Sequence, residues 1–253
     1  MDIDNSLSLF LLSCAGLVAG IINTMAGGGS FLTIPALMLL GLSPAVANAT
    51  NRLAILVQSG SASFAYYRQS RLSLKRGFIW SVIMALGAAA GAYAATTLEE
   101  DKFVAWFGIM FVCMSVLFMR KTKLTALAGE TNWPLARRFL FPALVGIGFY
   151  GGFIQAGVGV LILLCLGFAL GSDLIEANSL KNLMVLFYTV PVLTIFAVND
   201  LIDYRAGFFL ATGNAIGGYA GASLSMRISP RLLTYFVSAV ALITGLALIF
   251  RTL

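Results

Sequence analysis

Ten apolar stretches, separated by short polar joints, dominate the chain. They lie near residues 6–22, 30–41, 45–67, 77–97 and 103–119, and again near 139–152, 160–171, 175–198, 206–226 and 232–250. A helix rises about 1.5 Å per residue and needs about 20 mostly apolar residues to cross a hydrocarbon core of about 30 Å. Most of the stretches approach that length, so the pattern predicts an all-α polytopic membrane protein. Stretches 30–41 and 160–171 do not, being only about 18 Å long as helices. Each follows a glycine-rich joint, Gly27-Gly28-Gly29 or Gly157-Val158-Gly159. Either the glycines join a broken or re-entrant helix pair, or two short tilted spans meet there.

Composition agrees with a membrane class. Of 253 residues, 60% are hydrophobic and 10% charged, against about 25% charged in soluble domains. The longest polar interval, 120–138, is too short to bury a core of its own. The whole chain, 1–253, therefore reads as one membrane domain, with that interval as a cytoplasmic linker between a first repeat (about 6–119) and a second (about 139–250). A net charge of +6 points to nucleic acid in a soluble protein. Here the basic residues cluster in a few joints, and membrane topology accounts for them. Cys14, Cys113 and Cys165 stand singly inside apolar runs, implying neither disulfide nor metal site. Histidine is absent, which removes most zinc sites, the Ser-His-Asp arrangement and the usual proton shuttle. No nucleophile-base pair or acid dyad lies in the spans, so neither an enzyme nor a cofactor is expected. Asp2 and Asp4 stand where a cleaved signal peptide carries basic residues.

The two groups of five stretches are copies of one unit. Residues around Gly16 to Ala92 match those around Gly146 to Ala222 at an ungapped shift of 130. Ala26-Gly27 pairs with Ala156-Gly157, Gly29 with Gly159, Ala47-Asn48 with Ala177-Asn178, and Gly91-Ala92 with Gly221-Ala222. Arg68, Arg71, Lys75 and Arg76 crowd one joint, and Arg120, Lys121, Lys123, Arg137 and Arg138 another; both are expected in the cytoplasm. Glu99, Glu100 and Asp101 lie between them, and Asp200 and Asp203 occupy the copy-two equivalent of the first basic joint. Corresponding joints thus fall on opposite sides, which requires inverted repeats, a recurrent plan of secondary transporters.

Polar residues inside the spans are few and patterned. Asn48, Asn51 and Arg52 share one helical face in copy one, and Asn178, Lys181 and Asn182 share the matching face in copy two. A cation within a span costs about 2.5 to 3.5 kcal/mol and faces a cavity or a partner. With no carboxylate at matching depth, Arg52 and Lys181 are expected to face a bound anion or water; the alternative is snorkelling to the headgroups. The glycine joints supply a second element. A helix starting at the membrane centre directs free N–H groups and its positive dipole end inward, and Gly27, Gly28, Gly29, Gly157 and Gly159 let backbone approach a ligand. Tight helix packing is the competing reading, and the better one for Gly87-x-x-x-Gly91 and Gly217-x-x-x-Gly221. Asn23, Gln155 and Asn214 either line the path or bond between helices. Gly146-x-Gly148-x-x-Gly151 matches a dinucleotide fingerprint only in its letters, since no strand precedes it.

Ala26-Gly27-Gly28-Gly29-Ser30-Phe31-Leu32-Thr33-Ile34-Pro35 and Ala49-Thr50-Asn51-Arg52-Leu53 resemble the first-half signature of the TauE/SafE family of sulfite-exporter-like permeases. Phe149 to Gly159 and Ala177 to Asn182 resemble the second-half signature of a bacterial branch. The resemblance implies a multi-pass transporter of small sulfur-containing anions in the bacterial cytoplasmic membrane. Its partners are then a small anion and the bilayer, with no nucleic acid. An anion-selective channel and a non-transporting scaffold are the competing functions. Val158 and Val160 replace the glycine and serine that copy one has at Gly28 and Ser30, so the two turns are not expected to hold a substrate symmetrically.

Overall fold

The computed structural model describes residues 5–69, 72–130, 138–171, 174–225 and 231–252. Among the described residues the fold is all-helical, with ten helices. They are α1 (Ser6–Ala26), α2 (Ser30–Leu39), α3 (Pro44–Arg68), α4 (Leu74–Thr97), α5 (Glu100–Glu130), α6 (Leu140–Phe153), α7 (Val158–Leu170), α8 (Leu174–Val198), α9 (Tyr204–Leu224) and α10 (Arg231–Thr252). Side-chain caps set several starts: Asn5, Ser43 and Asp203 accept the amides of Leu7, Val46 and Ala206. Among the described residues four helices, at Ser6–Ala26, Leu74–Thr97, Glu100–Arg120 and Ile175–Val198, are long and apolar enough to cross a membrane. Helix α3 is also long, 25 residues or about 37 Å, but its polar residues lower its hydropathy. Asn48, Asn51, Arg52 and Gln58 are all fully buried, while Val57, Phe64 and Tyr67 are exposed, so the polar face of α3 packs against protein. Large apolar side chains such as Phe10, Leu86, Phe208 and Ile243 point outward, as lipid-facing surface requires.

The ten helices fall close to the ten apolar stretches, with one large difference. Helix α5 continues to Glu130, well past the apolar stretch ending near 119. Hydropathy marks where a span leaves the membrane, whereas a helix continues as long as good helix formers follow. The first part of the expected linker is therefore helical; residues 131–137 lie outside the described residues, as does Arg71.

In the first copy the glycine-joined pair is a hairpin. Gly29 at the start of α2 lies against the Ala19 carbonyl of α1. At its other end, Leu39 and Leu40 share a surface cavity of about 190 Å³ with Ser8, Leu11, Leu12 and Ala15. Helix α2 therefore turns back toward the side where α1 began, as both the re-entrant pair and two short spans require.

The most extensive helix contacts repeat when each helix is exchanged for the one five places away. Helix α1 lies parallel to α9, with Gly213, Gly217 and Gly221 against the carbonyls of Ser13, Leu17 and Ile21. Its counterpart is α4 beside α6, also parallel, with Gly87 and Gly91 against Val145 and Phe149, and Gly148 and Gly152 against Met84 and Ala88. Such close backbone approach is what small residues in membrane helices provide. Likewise α3 with α9 has its counterpart in α8 with α4, while α3 with α8 and α5 with α10 map onto themselves. Helices α3 and α8 run antiparallel, since Gln58 bonds Asn182 while Arg52 and Tyr188 meet on Gln155.

Candidate functional site

At the centre of this arrangement the two glycine turns touch. Gly27 ends α1 in the left-handed region (φ 85°), its amide bonded to the Asn23 and Ile22 carbonyls. A Cβ there would meet Gly159 backbone at 2.6 Å, so only glycine permits the contact. Gly157 (φ 77°) precedes α7 in the same conformation. Gly28 is buried, and its carbonyl accepts the Phe31 amide at 3.1 Å. Gly29 caps α2 through backbone alone. Among the described residues the amides of Gly28, Gly29 and Ser30 donate to no protein acceptor, and neither do those of Gly157 and Gly159. Both turns thus hold buried N–H groups without a protein partner, at the positive ends of α2 and α7.

The polar trios do something the sequence did not disclose. Arg52 and Lys181 are the charged side chains buried among the described residues, at 0% and 2% exposure, so neither snorkels to a surface. Arg52 donates from Nη2 to the Gly152 carbonyl at 2.8 Å and from Nη1 to Gln155 Oε1 at 2.7 Å, and Nη1 also meets the Gly151 carbonyl. Its guanidinium lies 5.4 Å from the Phe196 ring centroid. Asn48, one turn away, donates to the Phe153 carbonyl at 2.9 Å. The Ile154 and Gln155 amides take the Tyr150 carbonyl, so all four terminal carbonyls of α6 are satisfied, three of them by α3. Lys181 donates to the carbonyls of Asn23 and Thr24 at the end of α1, at 2.8 and 2.7 Å, and to Asn178 Oδ1 at 3.0 Å. Each cation therefore caps a helix of the other half of the chain, where the dipole is negative and an orphan carbonyl would be costly in lipid. Backbone carbonyls, with Gln155 Oε1 and Asn178 Oδ1, are thus the protein partners of the two cations, while Arg52 Nε is buried without one.

The remaining residues tie the turns to the long helices. Asn51 accepts from Thr33 at 2.6 Å and donates to Ser30 at 3.1 Å, fixing the start of α2. Asn182 donates to the Asn178 carbonyl at 2.8 Å and accepts from Gln58 at 3.2 Å. Gln58 also bonds Thr24 and Asn23. Gln155, itself at φ 68°, accepts from Tyr188 at 2.8 Å as well as from Arg52. The two cations do not meet at one point: Arg52 is level with Tyr188, seven residues or about 10 Å along α8 from Lys181. Gln58, Thr24, Thr33 and Tyr188 were not singled out from sequence. The available signal was that Gln58 and Tyr188 correspond at the 130-residue shift and continue the polar stripe of each trio. Asn214 is buried at mid-helix in α9 with both amide atoms unpartnered.

The family profile described as Sulfite exporter TauE/SafE matches residues 12–248. The chain belongs to the TauE/SafE family. Similar TauE/SafE relatives include a probable membrane transporter protein of Haemophilus influenzae, 30% identical over 89% of this chain and 88% of that one. The probable membrane transporter protein YfcA of Escherichia coli is 28% identical over 96% of this chain and 90% of its own. The probable membrane transporter protein ORF9 of a Sinorhizobium species is 26% identical over 97% and 92%. No solved structure matches. Relatives of this TauE/SafE chain are thus probable membrane transporters, and the family implies a small-molecule substrate.

Proposed function

We propose that this chain is a secondary transporter of small anions, sulfur oxyanions and sulfonates above all, in the bacterial cytoplasmic membrane. The anion is held between two oppositely oriented repeats, at the place where their glycine turns meet. One observation carries this reading: the two turns touch at Gly27 and Gly159, and each holds buried amides without a protein acceptor at the start of a short helix. Free amides at a helix start favour a negative ligand, and the two buried cations bias the surrounding field the same way. Gly27 and Gly159 in contact represent the closed arrangement, and an anion enters when one repeat rocks away from the other. Exchange symmetry of the packing, the antiparallel α3 and α8, and the opposite charges of corresponding joints support the inversion.

Two measurements test this. Reconstituted protein is expected to exchange labelled sulfite, thiosulfate or sulfoacetate in saturable counterflow; ohmic currents beyond carrier turnover would make it a channel instead. For topology, with the native cysteines replaced, a cysteine at Ser73 is expected to react with an impermeant thiol reagent only from the cytoplasm. One at Asn199, in the corresponding joint, should react only from outside; labelling of both from one side would refute inversion.

A further inference from the structure

Carboxyl ends of broken helices are where transporters of this general plan hold coupling cations, because exposed carbonyls and the negative dipole end create a cation site without any carboxylate. In this chain both such ends are occupied by side chains. Lys181 Nζ lies 2.8, 2.7 and 3.0 Å from Asn23 O, Thr24 O and Asn178 Oδ1, within reach of an ammonium's donors. The corresponding end of α6 offers Gly151 O, Gly152 O and Gln155 Oε1, all taken by Arg52. The two cations do not occupy equivalent positions: at the 130-residue shift Lys181 matches Asn51 and Arg52 matches Asn182. Different registers have nonetheless placed one positive charge at each broken helix end, from the opposite repeat. Duplication alone does not give that result; a requirement for a cation at each end does.

We infer that the oxygen cluster of Asn23, Thr24 and Asn178 is a monovalent-cation site filled by the chain's own Lys181, and that Arg52 fills its counterpart. Transport by this chain therefore takes no alkali cation. This last consequence rests on the transporter reading above, whereas the site itself does not.

The test compares thermal unfolding of detergent-purified protein in sodium, potassium and choline chloride at equal ionic strength, without substrate. Wild type is expected to show one Tm in all three. Lys181→Ala vacates the oxygens; it should be less stable in choline and regain stability with sodium or potassium, by about 3–5 °C for each tenfold excess over Kd. Lys181→Met, whose side chain fills the space without charge, should not regain it. Equal loss for Lys181→Ala in all three salts would mean that only water enters the space, and would overturn the inference, as would stabilisation of wild type by sodium. Should Lys181→Ala fail to purify, Arg52→Ala offers the same comparison at the other oxygen cluster. In proteoliposomes, wild-type counterflow should be equal in sodium and choline, and uptake driven by a sodium gradient would refute the coupling part. Absence of anion flux in wild type would refute the transporter reading and leave the salt comparison standing.

Discussion

Arg52→Ala is expected to abolish anion flux and to lower the unfolding free energy by about 3–5 kcal/mol, since each buried acceptor left unsatisfied costs about 1–3 kcal/mol. The loss is large because Arg52 satisfies two terminal carbonyls of α6 and the Gln155 side chain at once. In lipid no water replaces these bonds. Arg52→Lys keeps the charge but not the fork that reaches Gly151, Gly152 and Gln155 together, so partial stability with strongly reduced flux is expected. Unfolding in detergent and counterflow in proteoliposomes separate the two effects. An Arg52→Ala protein as stable as wild type would show that the carbonyl contacts do not hold α6 in place.

The second large effect concerns the contact between turns. Gly27→Ala puts a Cβ at 2.6 Å from the Gly159 carbonyl carbon and 2.8 Å from its Cα, at a φ of 85°. Backbone lies on the other side of the clash, so the turns must separate. Gly41→Ala provides the matched control: its φ is 97°, yet nothing lies within 4 Å of the added Cβ. Gly41→Ala should cost only the left-handed strain of about 1–2 kcal/mol and keep flux. Gly27→Ala should lose substantially more stability and all flux, read as Tm and counterflow side by side. Equal behaviour of the two variants would mean that the Gly27–Gly159 contact is not needed.

Much of the helical plan was legible because apolar length is a direct physical signal of a bilayer. Helices α4 and α8 lie within a few residues of their apolar stretches, and the polar joints fall between helices. The end of α5 was not legible, because hydropathy stops reporting once a helix leaves the lipid. In the site, the letters Asn48, Asn51, Arg52, Asn178, Lys181 and Asn182 announced a polar face inside the membrane. Their partners did not announce themselves: the carbonyls of Gly151, Gly152, Asn23 and Thr24 belong to backbone, which every residue carries alike. Arg52 and Lys181 consequently read as cations facing a ligand, and sequence did not disclose that each also bonds a helix end in the other half of the chain. Gln58 was hidden differently, since its bonds to Thr24, Asn23 and Asn182 depend on how α3 crosses α1 and α8.

The central claim is that a small anion binds at the paired turns. Thermal unfolding of purified protein against sulfite, sulfate, thiosulfate, sulfoacetate and chloride tests it most directly, repeated with Asn51→Ala, which releases Ser30 and Thr33 at the start of α2. A saturable rise in Tm with at least one sulfur anion, absent with chloride and lost in Asn51→Ala, is the expected result. A wild type indifferent to every anion, or an Asn51→Ala protein that responds as wild type does, would contradict it.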